Sequence, residues 1–346
     1  MLADNRIEFD VRYEVVRNGG TYRRISAYGY PSISGIASSE LKMSFRGTFL
    51  RDNFDGINFL TDRLRVVVVL NGTEYPCGLF VITSVLNRKA GGVKVADLEG
   101  YSILYLAQRK KIETRLSLAA GANYITSINN LLIGAGITNF VYTASSLTLA
   151  TVREDWEIGT PHLTIVNDLL SEINYNSAWV DLSGAVHLSK YAAPSLSNIT
   201  QTYKAGALSL IGDDYTKGND MHSKCNVFMA VCSNPDLSSP MTATSTNSDA
   251  SSPFSTVNIG RVLSVTTVDN TPSQSELQAT ADRLKLQSLL STETVEFATA
   301  INPTHTAFDV LALDNDELSG LFEETEWTIS IEPGADMTHK AKRVTA

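Results

Sequence analysis

The sequence predicts a mainly β, multidomain chain with α+β insertions, and three observations carry that expectation. Short runs of alternating apolar and polar residues, broken by turn residues, fill the first hundred positions and the last fifty. Two stretches in the middle instead place apolar residues at helical spacing. The 346 residues are also too many for one compact core.

From the N-terminus, RIEFDVRYEVV (6–16) alternates and Gly19-Gly20 marks a turn before another strand-like run. LRVVVVLNGTEYPCGLFVITSV (64–85) is the clearest hairpin. Its first strand ends at Asn71-Gly72, a pair suited to a turn with positive φ at both central residues. NRKAGGV is a further turn, and VKVADLEGY returns as a strand. Many strands with short turns favour a sandwich or barrel over a parallel α/β sheet.

The texture changes near Tyr101, where SILYLAQRKKIETRLSL can begin as a short helix. NYITSINNLLIGAG (123–136) sets Ile125, Ile128, Leu131 and Leu132 on one helical face and closes in glycines. Thr160 is placed to cap a helix with Pro161 at its first position, where the missing amide hydrogen costs nothing. Ile165, Val166, Leu169, Leu170 and Ile173 then form an apolar stripe, with Asn174 and Asn176 at its end. SAWVDLSGAVHLSKY follows as a hairpin turning at Leu182-Ser183-Gly184.

After Pro194 the chain is again strand-like. NPDLSSPMTATSTNSDASSPF (234–254) has few large apolar residues and is expected to be a long exposed loop between NVFMAVC and VLSVTTV. A helix is expected after Pro272, with Ser273 and Glu276 at capping-box spacing and Leu277, Ala281, Leu284 and Leu289 on its apolar face. FDVLAL and WTISIE are short strands, and the basic THKAKRV is expected to lie at a rim or face solvent.

The formal net charge of -9 and the absence of a lysine or arginine run argue against a nucleic-acid groove. Cys77, Cys225 and Cys232 lack a CxxC pair, so free thiols are expected, with neither a disulfide framework nor structural zinc. MLADNRIEF shows no signal peptide, and apolar runs such as VVVVL (66–70) are strand-sized, so no membrane segment is expected.

The stretch 161–191 places Asp168, Glu172 and Asp181 between His162 and His187, which raises the question of a metal or hydrolytic site. The two histidines stand outside HExxH or HxH spacing, and the chain's other histidines are His222, His305 and His339. The helix and hairpin account for more of these residues than chemistry does, so the stretch is expected to be scaffold. GxSxG, GxGxxG and GxxxxGK[ST] are absent, and Gly134-Ala135-Gly136 is a helix stop. Asp213-Asp214, near Gly212 and Asp220, does not match a calcium loop. Asp314, Asn315, Asp316 and Glu317 form a solvated acidic turn. The expectation is therefore no catalytic, cofactor or metal residues, and no enzyme. A carboxylate pair for glycoside cleavage could still meet from distant strands.

The order of segments resembles the gp27-like baseplate hub, or tail-tip hub, of tailed bacteriophages. LRVVVVLNGTEYPCGLFVITSV followed by VADLEGYSILYLAQ looks like the hub's first barrel handing over to its next domain. WEIGTPHLTIVNDLLSEINYNSAWVDLSGAVHLSKY looks like a helix-and-hairpin unit of siphophage hubs, carried here by Asn174-Tyr175, Trp179, Asp181 through Gly184, and Tyr191. KCNVFMAV, a polar loop, NIGRV, the capped helix, VEFATAINPTHTAFDVLAL and MTHKAKRV resemble the hub's returning strands, with Asn302-Pro303 ahead of Phe308-Asp309-Val310.

The resemblance implies two tube-type β-barrel domains plus peripheral α/β domains. Their expected boundaries are 1–102 for an N-terminal barrel, 103–200 for a peripheral α+β region containing 160–191, and 201–346 for a C-terminal β-rich region with loop 234–254 and helix 273–290. It also implies a homotrimer joining a sixfold tail tube to a threefold tip in the virion. A tube or distal tail protein would lie on one side and a tip or fibre protein on the other. DNA would pass through the lumen without specific binding, and no cofactor is implied. The alternative is a carbohydrate- or receptor-binding tail module, with Trp156, Trp179 or Trp327 as a sugar platform.

Overall fold

Residues 8–204, 211–219, 224–234, 236, 239–289, 293–315 and 317–344 are described by the structure, a computed structural model of the chain. Asp220, His222 and Asp316, together with the side chain of Asp213, lie outside the described residues.

The alternating N-terminal segments form β1 (Phe9–Arg17), β2 (Gly20–Ile25), β3 (Ser32–Ile36), β4 (Met43–Leu50), β5 (Arg63–Leu70), β6 (Thr73–Ala90) and β7 (Val93–Ser102). The β5–β6 turn is Asn71-Gly72 as expected, with φ of 49° and 77°. The first turn falls one residue earlier than expected, at Asn18-Gly19, with φ of 50° and 81°. Asparagine enters the left-handed region more readily than other non-glycine residues, so Asn18 can take a turn position ahead of Gly19.

The middle region holds α1 (Tyr105–Arg109), α2 (Tyr124–Gly134), β8 (Phe140–Tyr142), α3 (His162–Glu172), β9 (Trp179–Val180) and β10 (Val186–Leu188). β8, β10 and β9 make a small sheet. The stripes of α2 and α3 meet in one apolar core that includes Ile128, Leu132, Leu163, Val166 and Leu170. α3 starts one residue later than expected. Pro161 is its N-cap, and the Thr160 hydroxyl instead donates to the Glu157 carbonyl at 2.7 Å.

The remainder comprises β11 (Gln201–Lys204), β12 (Ile211–Asn219), β13 (Val227–Cys232), β14 (Met241–Thr246), α4 (Thr256–Ile259), β15 (Leu263–Val268), α5 (Gln274–Leu289), β16 (Glu293–Ala300), β17 (Val310–Asp314), β18 (Ser319–Ser330) and β19 (Asp336–Arg343). Part of the expected loop 234–254 is strand β14, paired along its length with β13. Its alanine and threonines need not be large, because α5 lies across β13 and β14 and buries Ala243 with Ala230, Leu277 and Ala281. The expected solvent-facing THKAKRV is most of β19, with His339 and Ala341 buried.

The two expected barrels are not formed. The described residues instead make one open sheet of 13 strands, in the order β12-β16-β19-β18-β3-β4-β7-β6-β5-β1-β2, with β17 on β18 and β11 on β17. An N-terminal half and a C-terminal half join through β3 and β18, from Ile36 opposite Glu326 to Ser32 opposite Ser330. Closing the N-terminal half would need a ladder between β2 and β4. The chain after β2 reaches β4 only at the single bridge Ala27–Phe49. At the join, Trp327 lies against Gly35, where a Cβ would sit 2.3 Å from the indole ring. Among the described residues, no helix is long and apolar enough to cross a membrane.

Candidate functional site

The residues singled out in 161–191 do not converge on one site. His162 is buried, and its Nδ1 meets the Leu131 carbonyl at 2.9 Å, tying α3 to α2. His187 stacks on Trp179 at 4.3 Å, and its Nε2 meets Asp181 Oδ2 at 2.8 Å. Asp181 Oδ1 also accepts from the Ser183 and Ala185 amides, which shapes the hairpin turn. Asp168 accepts from the Trp156 indole at 3.0 Å.

Glu172 is buried against Arg153 and accepts from the Tyr124 hydroxyl at 2.7 Å. Burial pushes the Glu172 carboxyl up, to about 7. The guanidinium beside it keeps its proton and offsets part of that rise by favouring the carboxylate. Trp156 and Trp327 are core residues, and Trp179 is partly buried under His187, so the three tryptophans make no shared sugar platform. Asp214 on β12, Asp314 and Glu317 are exposed.

The cluster with the greatest chemical potential lies elsewhere, in the C-terminal half of the sheet. Glu324 on β18, His339 on the neighbouring β19 and His305 in the β16–β17 loop are all buried, with one potential donor atom each inside a 4.8 Å span. Two backbone irregularities aim these side chains inward. The β18–β19 register shifts between Glu324 and Glu326, so the inward set changes from Phe322 and Glu324 to Trp327 and Ile329. Such a bulge re-aims side chains. In the loop, Phe308 has φ of 66°. That conformation costs an aromatic residue about 1–3 kcal/mol and has to be held by its surroundings.

Hydrogen-bond directions within the cluster follow from its ends. Asn302 Nδ2 can only donate, and does so to the Tyr203 hydroxyl at 3.1 Å. Tyr203 then gives its proton to His305 Nε2 at 2.5 Å, and His305 Nδ1 donates to Glu324 Oε2 at 2.6 Å. At the other end Thr299 donates to the Ala300 carbonyl, so its oxygen accepts from His339 Nε2 at 2.8 Å. His339 Nδ1 is left as an acceptor facing Glu324 Oε1 at 2.6 Å. The Glu324 carboxyl must supply the proton between them. Every group is then neutral and satisfied, as burial in low dielectric favours.

Burial accordingly pushes Glu324 up to about 7, lowers His305 to about 4 and lowers His339. Asp309 completes the shell. Its carboxylate accepts from the Thr306 amide and hydroxyl, both at 2.9 Å, and stands 3.4 Å from His305 Nδ1. Sequence reading noted His305 and His339 singly and passed over Glu324. The available signal was polar residues at inward positions of strands, such as Glu324 two residues after Phe322 and His339 between Met337 and Ala341.

No family model matches the chain, and no curated protein does. Solved structures do resemble it over nearly its whole length. A tail protein from Neisseria meningitidis MC58 superposes with a TM-score of 0.67 at 14% identity, covering 96% of each chain. The 43 kDa tail protein of prophage MuSo2 from Shewanella oneidensis gives 0.65 at 9% identity, over 96% of this chain and 98% of that one. The chain has the fold of phage tail proteins. The prophage tail protein gp18 from Listeria monocytogenes gives 0.59 at 10% identity, over 97% and 95% of the two chains. An E. coli component of the type VI secretion system, described as similar to the T4 tail proteins gp27 and gp5, gives 0.55 over 98% of this chain and 77% of that one. The tail-protein fold is thus shared with the hub group that the sequence resembles, at identities where side-chain roles do not carry across.

Proposed function

We propose that the chain is a structural tail hub of a phage or prophage-derived particle, a non-catalytic component of the virion tail tip or baseplate. The observation that carries this reading is the end-to-end match to whole tail proteins from three bacteria, with neither chain leaving a large unmatched part. Three copies form a ring that joins a sixfold tail tube on one side to a threefold tip or fibre on the other, and DNA passes through the lumen. Residues 1–102 and 201–346 serve as the ring-forming parts, and 103–200 lie at the periphery.

Two physical features support this reading. Among the described residues β2 pairs with β1 alone and β11 with β17 alone, and such edges suit a subunit whose neighbours cover them. The net charge of -9 suits a channel that DNA slides through without being held. Mass measurement in solution, with tube and tip proteins added, tests the oligomer. A chain that stays monomeric at high concentration with both partners present would overturn the reading. Imaging of assembled tails is expected to place three copies around an axial channel.

A further inference from the structure

The buried cluster in the C-terminal half contains two carboxylates, two imidazoles and no permanently charged cation. In the arrangement described above, the proton on Glu324 holds the two imidazoles and that carboxyl together as a neutral chain, with Asp309 beside it. The same side chains form a second complete arrangement once a divalent ion is supplied. We infer that His305 Nδ1, His339 Nδ1, Glu324 and Asp309 form a structural binding site for a divalent transition-metal ion, zinc by preference. This inference stands apart from the tail-hub reading and does not need it.

Donor chemistry comes first. Two imidazole nitrogens and two carboxylate oxygens are a common tetrahedral set for zinc, at about 2.0–2.2 Å from the ion. Both rings present the same nitrogen, Nδ1, toward Glu324, and each Nε2 is held by a hydroxyl, Tyr203 for His305 and Thr299 for His339. Metal-bound histidines need that outer hydrogen bond to fix ring orientation. Tyr203 can turn its proton toward another acceptor and take one from His305 Nε2, which frees Nδ1 for the ion.

Charge balance follows. With both carboxylates ionised and both rings neutral, the buried cluster carries two negative charges, which a divalent ion cancels. Binding therefore releases the Glu324 proton to solvent and moves the His305 proton from Nδ1 to Nε2, while Tyr203 keeps its own proton and turns it away from that nitrogen.

The spacing requires only small movements. Tetrahedral ligands of zinc stand about 3.3 Å apart. The two 2.6 Å contacts to Glu324 must open by well under an ångström, and Asp309 Oδ2, 3.4 Å from His305 Nδ1 but outside the 4.8 Å span of the other three donors, must move in with its loop. His305 and Asp309 belong to a loop and can take up that movement, while Glu324 and His339 sit on paired strands. The bound ion would fasten the β16–β17 loop to β18 and β19.

The test uses the full chain, stripped with a chelator, incubated with one equivalent of zinc chloride, desalted and analysed for metal, with thermal unfolding alongside. One zinc per chain and a Tm rise of roughly 3–6 °C are expected. Glu324→Gln keeps the metal-free hydrogen bonds, because the amide donates to His339 Nδ1 and its carbonyl accepts from His305. It should lose the Tm rise and weaken zinc binding by more than about tenfold. Asp309→Asn, which leaves the neutral chain of hydrogen bonds untouched, should weaken it as well and serves if the first variant fails to fold. Wild-type protein that retains no zinc overturns the inference. So does equal retention by either folded variant, which would place the ion on Cys77, Cys225, Cys232 or the other imidazoles.

Discussion

The two halves of the large sheet are built mainly from antiparallel strands, with one parallel pair, β11 and β17, in the C-terminal half, and they fill their interiors differently. The N-terminal half packs Phe45, Phe49, Phe80, Leu64 and Val66 into an apolar core with the rings of Phe45 and Phe80 5.3 Å apart. The C-terminal half surrounds Tyr203, Phe297 and Phe322 with His305, Glu324 and His339, and Phe297 stacks on the His339 ring at 4.8 Å. Apolar packing is non-directional and tolerates small shifts, whereas a buried polar network holds only when each donor finds its acceptor. The first half is specified by pattern and the second by position.

Replacing Phe45 with alanine probes the pattern and should cost the most, about 3–5 kcal/mol, read from the midpoint of urea unfolding. Glu324→Ala probes the position. It removes the proton that His339 Nδ1 accepts and the oxygen that His305 Nδ1 meets, at a cost of about 2–4 kcal/mol. Glu324→Gln should keep most of that stability in metal-free protein, and a loss as large as the alanine variant's would mean that charge, not hydrogen bonding, holds the cluster.

Gly72→Ala strains a turn residue at φ of 77° and should cost about 1 kcal/mol, with no effect on the C-terminal half by hydrogen exchange. Lys42 supplies an effect that only a change of pH reveals. It is buried, donates to the Ala37 and Ser39 carbonyls at 2.9 Å, and burial lowers it from 10.5 to about 8. Between those values the unfolded chain binds the extra proton, so stability should climb as pH rises through that window. In Lys42→Met the climb should flatten, as followed by urea unfolding at several pH values.

The same contrast explains what was legible in the sequence. The β5–β6 hairpin, α2, α3 and the β9–β10 hairpin each announce themselves within about twenty residues, through a turn pair or a period that local sterics enforce. β14 was hidden because Ala243 and Ser245 become buried only when α5 covers them. The barrel expectation failed because closure or opening is decided by which distant edges pair, and alternation is the same in both. The His305, Glu324 and His339 cluster has no motif spacing. It depends on a bulge after Glu324 and on a loop residue with positive φ, and neither leaves a local mark.

The seam between β3 and β18 has a consequence for how the chain is made. Ser34 and Thr328, hydrogen-bonded across it at 3.0 Å, are 294 residues apart in sequence. At about 5–20 residues per second, β3 leaves the ribosome roughly 15–60 s before its partner exists. Throughout that interval the N-terminal half presents a bare strand edge, with Gly35 offering no side chain to obstruct a stranger. β18, made so long after β3, is therefore the strand that removes this hazard, and a ribosome stalled before residue 330 should release a chain prone to pairing with its own kind.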